Sequence, residues 1–283
     1  MELNLSPFKY RNIFSKDGGP IDRLNVSLLE QPGKTQEFEA VAFLLPDIVP
    51  QWHKNSTIYC GGHGGGTHHM RNIACYIAMS EALERWAYFG PSFGEQQILF
   101  GFDVEPSTSG MAAFPGLTKR PARVRANWEA VERWSLLEWW YGRLPAVLSP
   151  GSGRAAGALY ISQPLKDCCA VIIWATLASG SMAYGFAAAD TPETALHKAS
   201  IEKARNTTAL TRFFNKELFL SQDFIADGQY PIYDRRLIFF ASPPGGDMFW
   251  DRAISSSDLN ITPVIPPKLI DTEIKGPWSK YAT

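Results

Sequence analysis

Cysteine is scarce in this chain, and long apolar runs are absent. Four cysteines in 283 residues (Cys60, Cys75, Cys168 and Cys169) make no spaced disulfide framework, which sets the expectation of a reducing, cytoplasmic setting. No stretch approaches the roughly 18 apolar residues that a membrane helix needs. The segment from Met1 to Pro7 has neither the basic start nor the apolar core of a signal peptide. An excess of one charge is lacking too. Lys+Arg at 27 against Asp+Glu at 28 leaves a net charge of −1, which argues against nucleic acid or an anionic membrane as the main partner. The Gly-Lys-Ser/Thr end of a P-loop, the framed dinucleotide fingerprint and the Gly-x-Ser-x-Gly elbow of a serine hydrolase do not occur.

What is present is a repeated phrase. Glu81-Ala82-Leu83-Glu84-Arg85-Trp86 returns as Glu129-Ala130-Val131-Glu132-Arg133-Trp134, 48 residues downstream. In a helix, positions i, i+3 and i+4 share one face, so each copy presents two carboxylates and a guanidinium together. Two such helices facing each other would gather four carboxylates and two arginines, a cage for divalent cations carrying a polyphosphate. The bland alternative is a surface Glu-Arg pair at i, i+4 on each helix, contributing a few tenths of a kcal/mol.

Around these phrases the pattern predicts one α+β domain. A strand is expected over Glu37–Leu45 and a helix from about Asn72 to Phe89, with Cys75, Met79, Ala82, Leu83 and Trp86 as its apolar stripe. A second helix is expected from about Arg123 to Tyr141, ending near Gly142, with Trp128, Val131, Ser135 and Leu136 turned inward. Ala156–Ile161 and Cys168–Ala178 read as strands, the second buried on both faces. Asp190 and Glu193 have capping-box spacing, and Pro192 suits the first turn of a third helix running to about Phe214. Arg236–Ser242 reads as a further strand, and the last 40 residues as Pro- and Gly-rich with little periodicity.

Gly61-Gly62-His63-Gly64-Gly65-Gly66-Thr67 stands directly before the first helix. It reads either as a flexible turn or as a cradle whose backbone N–H groups take a phosphate at the helix start. Cys60, His63, His68, His69 and Cys75 match no standard zinc spacing, and the rings of His68 and His69 are expected to point apart. Cys168-Cys169 reads as a pair of buried strand residues.

With these helices in view the chain resembles the YcaO family of ATP-dependent enzymes that modify peptide backbones. Ala74 through Trp86, with Ala78-Met79-Ser80-Glu81-Ala82-Leu83-Glu84-Arg85, is similar to that family's Ser-Ala-x-x-Glu-Ala-x-Glu-Arg stretch behind a Gly-rich turn. Ser109-Gly110-Met111-Ala112-Ala113, followed by Glu129-Ala130-Val131-Glu132-Arg133 and Glu138-Trp139-Trp140, looks like its second motif. Tyr184-Gly185-Phe186-Ala187 with Ala195, Ala199 and Glu202 looks like its third, a Gly-x-Ala turn and an Ala-rich acidic helix. The motif-bearing core runs over about residues 55–215 of a single YcaO-like domain spanning 1–283. Ile77 stands where the family has serine, Arg205 where it has glutamine and Thr207 where an arginine is expected, and the family's Pro-rich C-terminal tail has no counterpart.

The resemblance implies a mixed or antiparallel sheet with three motif-bearing helices around a nucleotide site. It implies Glu81, Glu84, Glu129 and Glu132 as Mg²⁺ ligands, with Arg85, Arg133, Glu202 and Arg205 near ATP. The implied reaction is attack by a thiol, hydroxyl, amine or sulfide on a peptide amide whose oxygen ATP phosphorylates, giving azolines, amidines or thioamides. A precursor peptide as substrate, a separate leader-recognition or modification protein and a homodimer are the partners expected. The alternative is a catalytically weak partner subunit that binds peptide or a second protein.

Overall fold

The computed structural model describes residues 4–29, 36–50, 58, 63–89, 110–162, 165, 167–216, 232–256, 268 and 273–282. They fall into two compact units. The first holds Met1–Ser56, Cys60–Asn127 and the C-terminal residues from Leu269; the second holds Thr57–Tyr59 and Trp128–Lys268.

In the first unit a short helix α1 (Ser6–Lys9) precedes strands β1 (Ile21–Leu29), β2 (Glu37–Leu44) and β3 (His63–His68), then helix α2 (Arg71–Phe89). The strands form one antiparallel sheet in the order β1-β2-β3, so β3 is an edge. One face of that sheet is covered by α2, whose Ala74, Ala78 and Ala82 are fully buried at i, i+4 and i+8. Methyl side chains bring a helix close, and Gly64 and Gly66 bring it closer. A Cβ on Gly64 would overlap the Ala78 carbonyl and Ala82 nitrogen; one on Gly66 would overlap the Ala74 carbonyl. The glycine cluster is therefore a strand from His63 onward, neither turn nor phosphate cradle; Gly61 and Gly62 lie outside the described residues. Its glycines serve packing, a use that spacing alone does not distinguish from a loop.

Helix α3 (Arg120–Trp140) begins in the first unit and runs into the second, where Gly142 ends it in the left-handed conformation at φ 80°. In the second unit its buried positions are Val131, Ser135 and Trp139, with Trp128 and Leu136 partly so. Strands β4 (Ala146–Leu148), β5 (Ala156–Ile161), β6 (Cys169–Thr176) and β7 (Met182–Ala189) follow as an antiparallel sheet in chain order. Ala170–Trp174 of β6 is buried at every position, as a strand covered on both faces requires. Cys169 lies in β6, but it and Cys168 are only half-buried. The Tyr184–Ala187 segment, expected as a turn, is the middle of β7.

Helix α4 (Pro192–Lys216) lies against β7 and β6. Pro192 takes its first turn as expected, but the cap is Thr191, whose Oγ1 accepts the Thr194 N–H at 3.2 Å. Asp190 is not that cap. The segment expected as a strand at Arg236–Ser242 is helical as far as Ala241, the end of α5 (Ile232–Ala241). Asp234, Ile238 and Ala241 are buried at i, i+4 and i+7, a helical period that the short apolar run Leu237–Phe240 masks in sequence. A further helix, α6 (Pro243–Ser255), occupies the region expected to lack periodicity, with Phe249 and Ala253 in the core. Arg252 on α6 donates from Nε and Nη2 to the Trp139 carbonyl at 2.8 and 2.5 Å. Helices and antiparallel sheets make the class α+β, as the pattern implied. Among the described residues no helix is long and apolar enough to cross a membrane.

Candidate functional site

An edge strand leaves every second backbone N–H and C=O unpaired on its open side. Among the described residues, both edge strands that carry helices use those groups to hold carboxylates. Glu81 on α2 accepts the Gly65 N–H at 2.9 Å through Oε2, while its Oε1 accepts from Arg85 Nη2 at 2.9 Å. One turn on, Glu84 accepts the Ala113 N–H at 2.7 Å. On the second unit's edge strand, Tyr184, Phe186 and Ala188 alternate along the open side. The Tyr184 carbonyl accepts from Asn206 Nδ2 at 2.7 Å, the Phe186 N–H donates to Glu202 at 2.9 Å, and the Ala188 N–H donates to Glu132 at 3.2 Å. Charge-assisted bonds of this kind fix a carboxylate's direction and free the fold from an exposed edge.

The eight residues singled out in the sequence are placed as follows. Glu81, Glu84 and Arg85 lie together on α2 in the first unit, and Glu129, Glu132 and Arg133 on α3 in the second. Arg85 pairs with Glu81 and Arg133 with Glu129, at 2.9 and 2.5 Å, each an i, i+4 contact about a third exposed. Glu202 and Arg205 sit one turn apart on α4, within the unit that holds Glu129 and Glu132. The three carboxylates of the second unit interact: Glu132 is raised well above the usual carboxylate range by burial, then by the negative charges of Glu202 and Glu129. The Ala188 N–H and Arg133 oppose that rise without cancelling it. The residue as a whole is half-buried, whereas its carboxyl end is enclosed by protein, and it is the enclosed end that titrates.

Sequence reasoning missed two supporting features, a buried hydroxyl pair and a buried amide. Tyr10 and Ser80 join hydroxyl to hydroxyl at 2.6 Å, both buried, on the side of α2 that also carries Glu84. Burial holds the Tyr10 phenol far above its ordinary value, with the Ser80 bond opposing and the Glu84 charge reinforcing. Asn206 was the second omission; only the strand's alternation could have revealed it.

The donor set is all carboxylate, which suits Mg²⁺ and not a soft metal. Among the described residues no three His, Cys, Asp or Glu side chains enclose an ion. Mg²⁺ needs less: one or two carboxylates, with phosphate and water completing the octahedron. Glu81 with Glu84, and Glu129 with Glu132, are carboxylate pairs of that kind, three of the four held by a backbone N–H. The zinc alternative does not gain: His68 accepts the Met70 N–H at 2.9 Å and stacks on His69 at 4.1 Å instead of diverging, Cys75 is buried, and Cys60 lies outside the described residues.

No protein-family model and no curated protein matches the chain. Among solved structures it is similar to YcaO from Methanopyrus kandleri bound with AMPPCP and Mg2+, at 14% identity and a TM-score of 0.49 over 78% of this chain and 70% of that one.

Proposed function

We propose that this protein activates a peptide backbone amide using ATP and Mg²⁺, leading to an azoline, amidine or thioamide in a ribosomally made peptide. The observation that carries the reading is the set of glutamates Glu81, Glu84, Glu132 and Glu202, each aimed by a backbone N–H. A surface salt-bridge pair has no need of a strand amide to orient it. In this reading Glu81, Glu84, Glu129 and Glu132 are the metal ligands, and Arg85, Arg133, Glu202 and Arg205 lie toward the nucleotide. Bound Mg²⁺ supplies charge neutralisation on the phosphates. The protein's own part is to orient the carboxylates, hold the arginines beside them and present the peptide amide. A thiol, hydroxyl, amine or sulfide then adds to the amide carbon, its oxygen takes the γ-phosphoryl group, and ADP and phosphate leave. Phosphorylation matters because an amide oxygen is otherwise a very poor leaving group.

The test is calorimetric binding of a non-hydrolysable ATP analogue with Mg²⁺, comparing wild type with Glu81→Gln/Glu132→Gln. Binding that the double variant loses supports the reading; a folded wild type that binds nothing overturns it. One observation favours a second reading, in which the chain is a binding partner in a modification complex. Both oxygens of Glu81 already have protein partners, Gly65 and Arg85. That reading expects a stable complex with a peptide-recognition or modification protein and no phosphate release by this chain alone.

A further inference from the structure

Helix α3 begins with a charge that opposes its own backbone. Residues 117–127 carry four cations, Lys119, Arg120, Arg123 and Arg125, and no anion, in a chain whose net charge is −1. The N–H groups of a helix start are themselves partly positive, and acidic side chains are what that end favours. The first turn of α3 has none. Among the described residues of the first unit, Glu273 answers two of the four cations. It accepts from Lys119 Nζ at 2.5 Å and is further stabilised as an anion by the charge of Arg123. Arg125 has a different companion. Its guanidinium lies over the Phe114 ring, with Cζ 4.6 Å from the ring centre, and among the described residues no carboxylate pairs with it.

Stacking on an aromatic face fixes the plane of a guanidinium and leaves its N–H donors along the edges. Arg125 is exposed, and edge donors of that kind match a carboxylate through two parallel bonds. The place is close to the first carboxylate pair. Phe114 follows Ala113, whose N–H holds Glu84 at 2.7 Å. The buried Tyr10 phenol, bonded to Ser80, feels Glu84 and Arg125 with opposite sign, so both charges lie near one hydroxyl pair. Uncovered apolar side chains adjoin the cations. Leu117 precedes the helix at 72% exposure, and Val124 stands between Arg123 and Arg125 at 45%. Helix α1 is tied to the same loop by the Leu5 N–H on the Pro115 carbonyl at 2.8 Å, and its Phe8 is 79% exposed. A bare anion would leave these groups in water; an acidic, partly apolar chain segment covers them.

We propose that this surface docks a carboxylate-bearing segment of the peptide substrate, with Arg125 taking the carboxylate while Leu117 and Val124 take a neighbouring apolar side chain. An acidic side chain and a peptide C-terminus share that chemistry. The docked carboxylate offsets the repulsion among the cations at the helix start. It also holds the peptide near Glu84 through residues that take no part in phosphoryl transfer. The inference rests on the proposed function only for calling the segment substrate, and its first test contains no nucleotide.

The experiment is affinity selection by the full chain from a library of short random peptides, for wild type, Arg125→Gln and Arg125→Lys. Arg143→Gln, in the second unit and paired with Glu138, is the control for net charge. Circular dichroism verifies folding. Wild type is expected to enrich peptides with a carboxylate at a fixed spacing from an apolar residue. The enriched peptide, titrated by fluorescence anisotropy, should bind Arg125→Gln at least about tenfold more weakly, Arg125→Lys in between and Arg143→Gln as wild type does. Replacing its acidic side chain by the amide, or amidating its C-terminus, shows which carboxylate Arg125 holds; insensitivity to both overturns the inference. No enrichment by folded wild type, or equal affinity of folded Arg125→Gln, overturns it as well. Competitive displacement of the peptide by Mg²⁺-ATP assigns Arg125 to the nucleotide instead. Binding to phosphatidylglycerol vesicles that needs Arg125, with no peptide enriched, assigns the surface to a membrane and likewise overturns it. Peptide selection by a chain that binds no Mg²⁺-nucleotide leaves this site standing and fails the ATP reading. Mg²⁺-nucleotide binding with no peptide selected does the reverse.

Discussion

Gly185 lies directly beneath Ala199: a Cβ at position 185 would occupy the space of the Ala199 carbonyl oxygen. The atoms in the way are helix backbone, which cannot rotate aside as a side chain can. Gly64 has the same relationship to Ala78. Gly64→Ala and Gly185→Ala are each expected to destabilise their unit by about 1–3 kcal/mol, through overpacking at a helix–strand contact. Gly153→Ala is the control, because a Cβ there meets nothing within 4 Å. Urea denaturation of the three variants checks this, and equal midpoints for all three would contradict it.

Tyr10 and Ser80 form one buried hydroxyl pair at 2.6 Å. Removing one partner strands the other in the core, and removing both leaves only shape to be lost. Tyr10→Phe and Ser80→Ala are expected to cost about 1–2 kcal/mol each, with the double variant costing less than their sum. A double-mutant cycle from denaturation curves measures the difference; strict additivity would show that the bond carries no coupling.

Asn206 binds the Tyr184 carbonyl from a buried position, at 2.7 Å. Asn206→Leu removes the donor from a carbonyl with little solvent access, and a loss of about 1–3 kcal/mol is expected. Hydrogen exchange should localise the effect, with amide protection along β7 falling more than along β2. Uniform loss across both sheets would contradict a local role.

Glu132 is raised by burial and by its acidic neighbours, so the folded state holds its proton more tightly than the unfolded chain does. Its favourable contribution is full below the unfolded value of about 4.3. It is lost as pH rises through the raised folded value, because the unfolded chain ionises first. In EDTA, wild-type stability is expected to fall across that window, and Glu132→Gln to flatten the decline. Thermal melts at a series of pH values provide the measurement. A variant with the same slope as wild type would show that another group is responsible.

Much of the helical framework was legible because helices announce themselves by period and by stop signals. The stripe Cys75, Met79, Ala82, Leu83 and Trp86 and the stop at Gly142 are local features; the structure buries the first four, leaves Trp86 half-buried against the same core, and places the stop as read. The glycine cluster was not legible in the same way. A run of glycines carries no side-chain period, so strand and loop look alike until a helix is known to lie on top. The helix over Ile232–Ala241 was hidden for a related reason, since a short apolar run satisfies either period.

By itself the sequence determined the chemical inventory: carboxylates and guanidinium groups grouped at i, i+3 and i+4 on helices, in a chain with few cysteines and balanced charge. It also determined where the helix surfaces are apolar enough to pack. Tertiary structure alone decided which backbone amides Glu81, Glu84, Glu132 and Glu202 meet, because such hydrogen bonds join residues, Ala188 and Glu132 among them, that no local pattern connects. It alone revealed that the strand–helix pair carrying Gly64, Ala78 and Glu81 recurs 121 residues later with Gly185, Ala199 and Glu202, since close packing constrains a glycine and two alanines and leaves the rest of each copy free to diverge. Local periodicity is written in neighbouring residues; the alignment of a carboxylate on a distant strand is set by how two backbones approach, and that is a property of the folded chain.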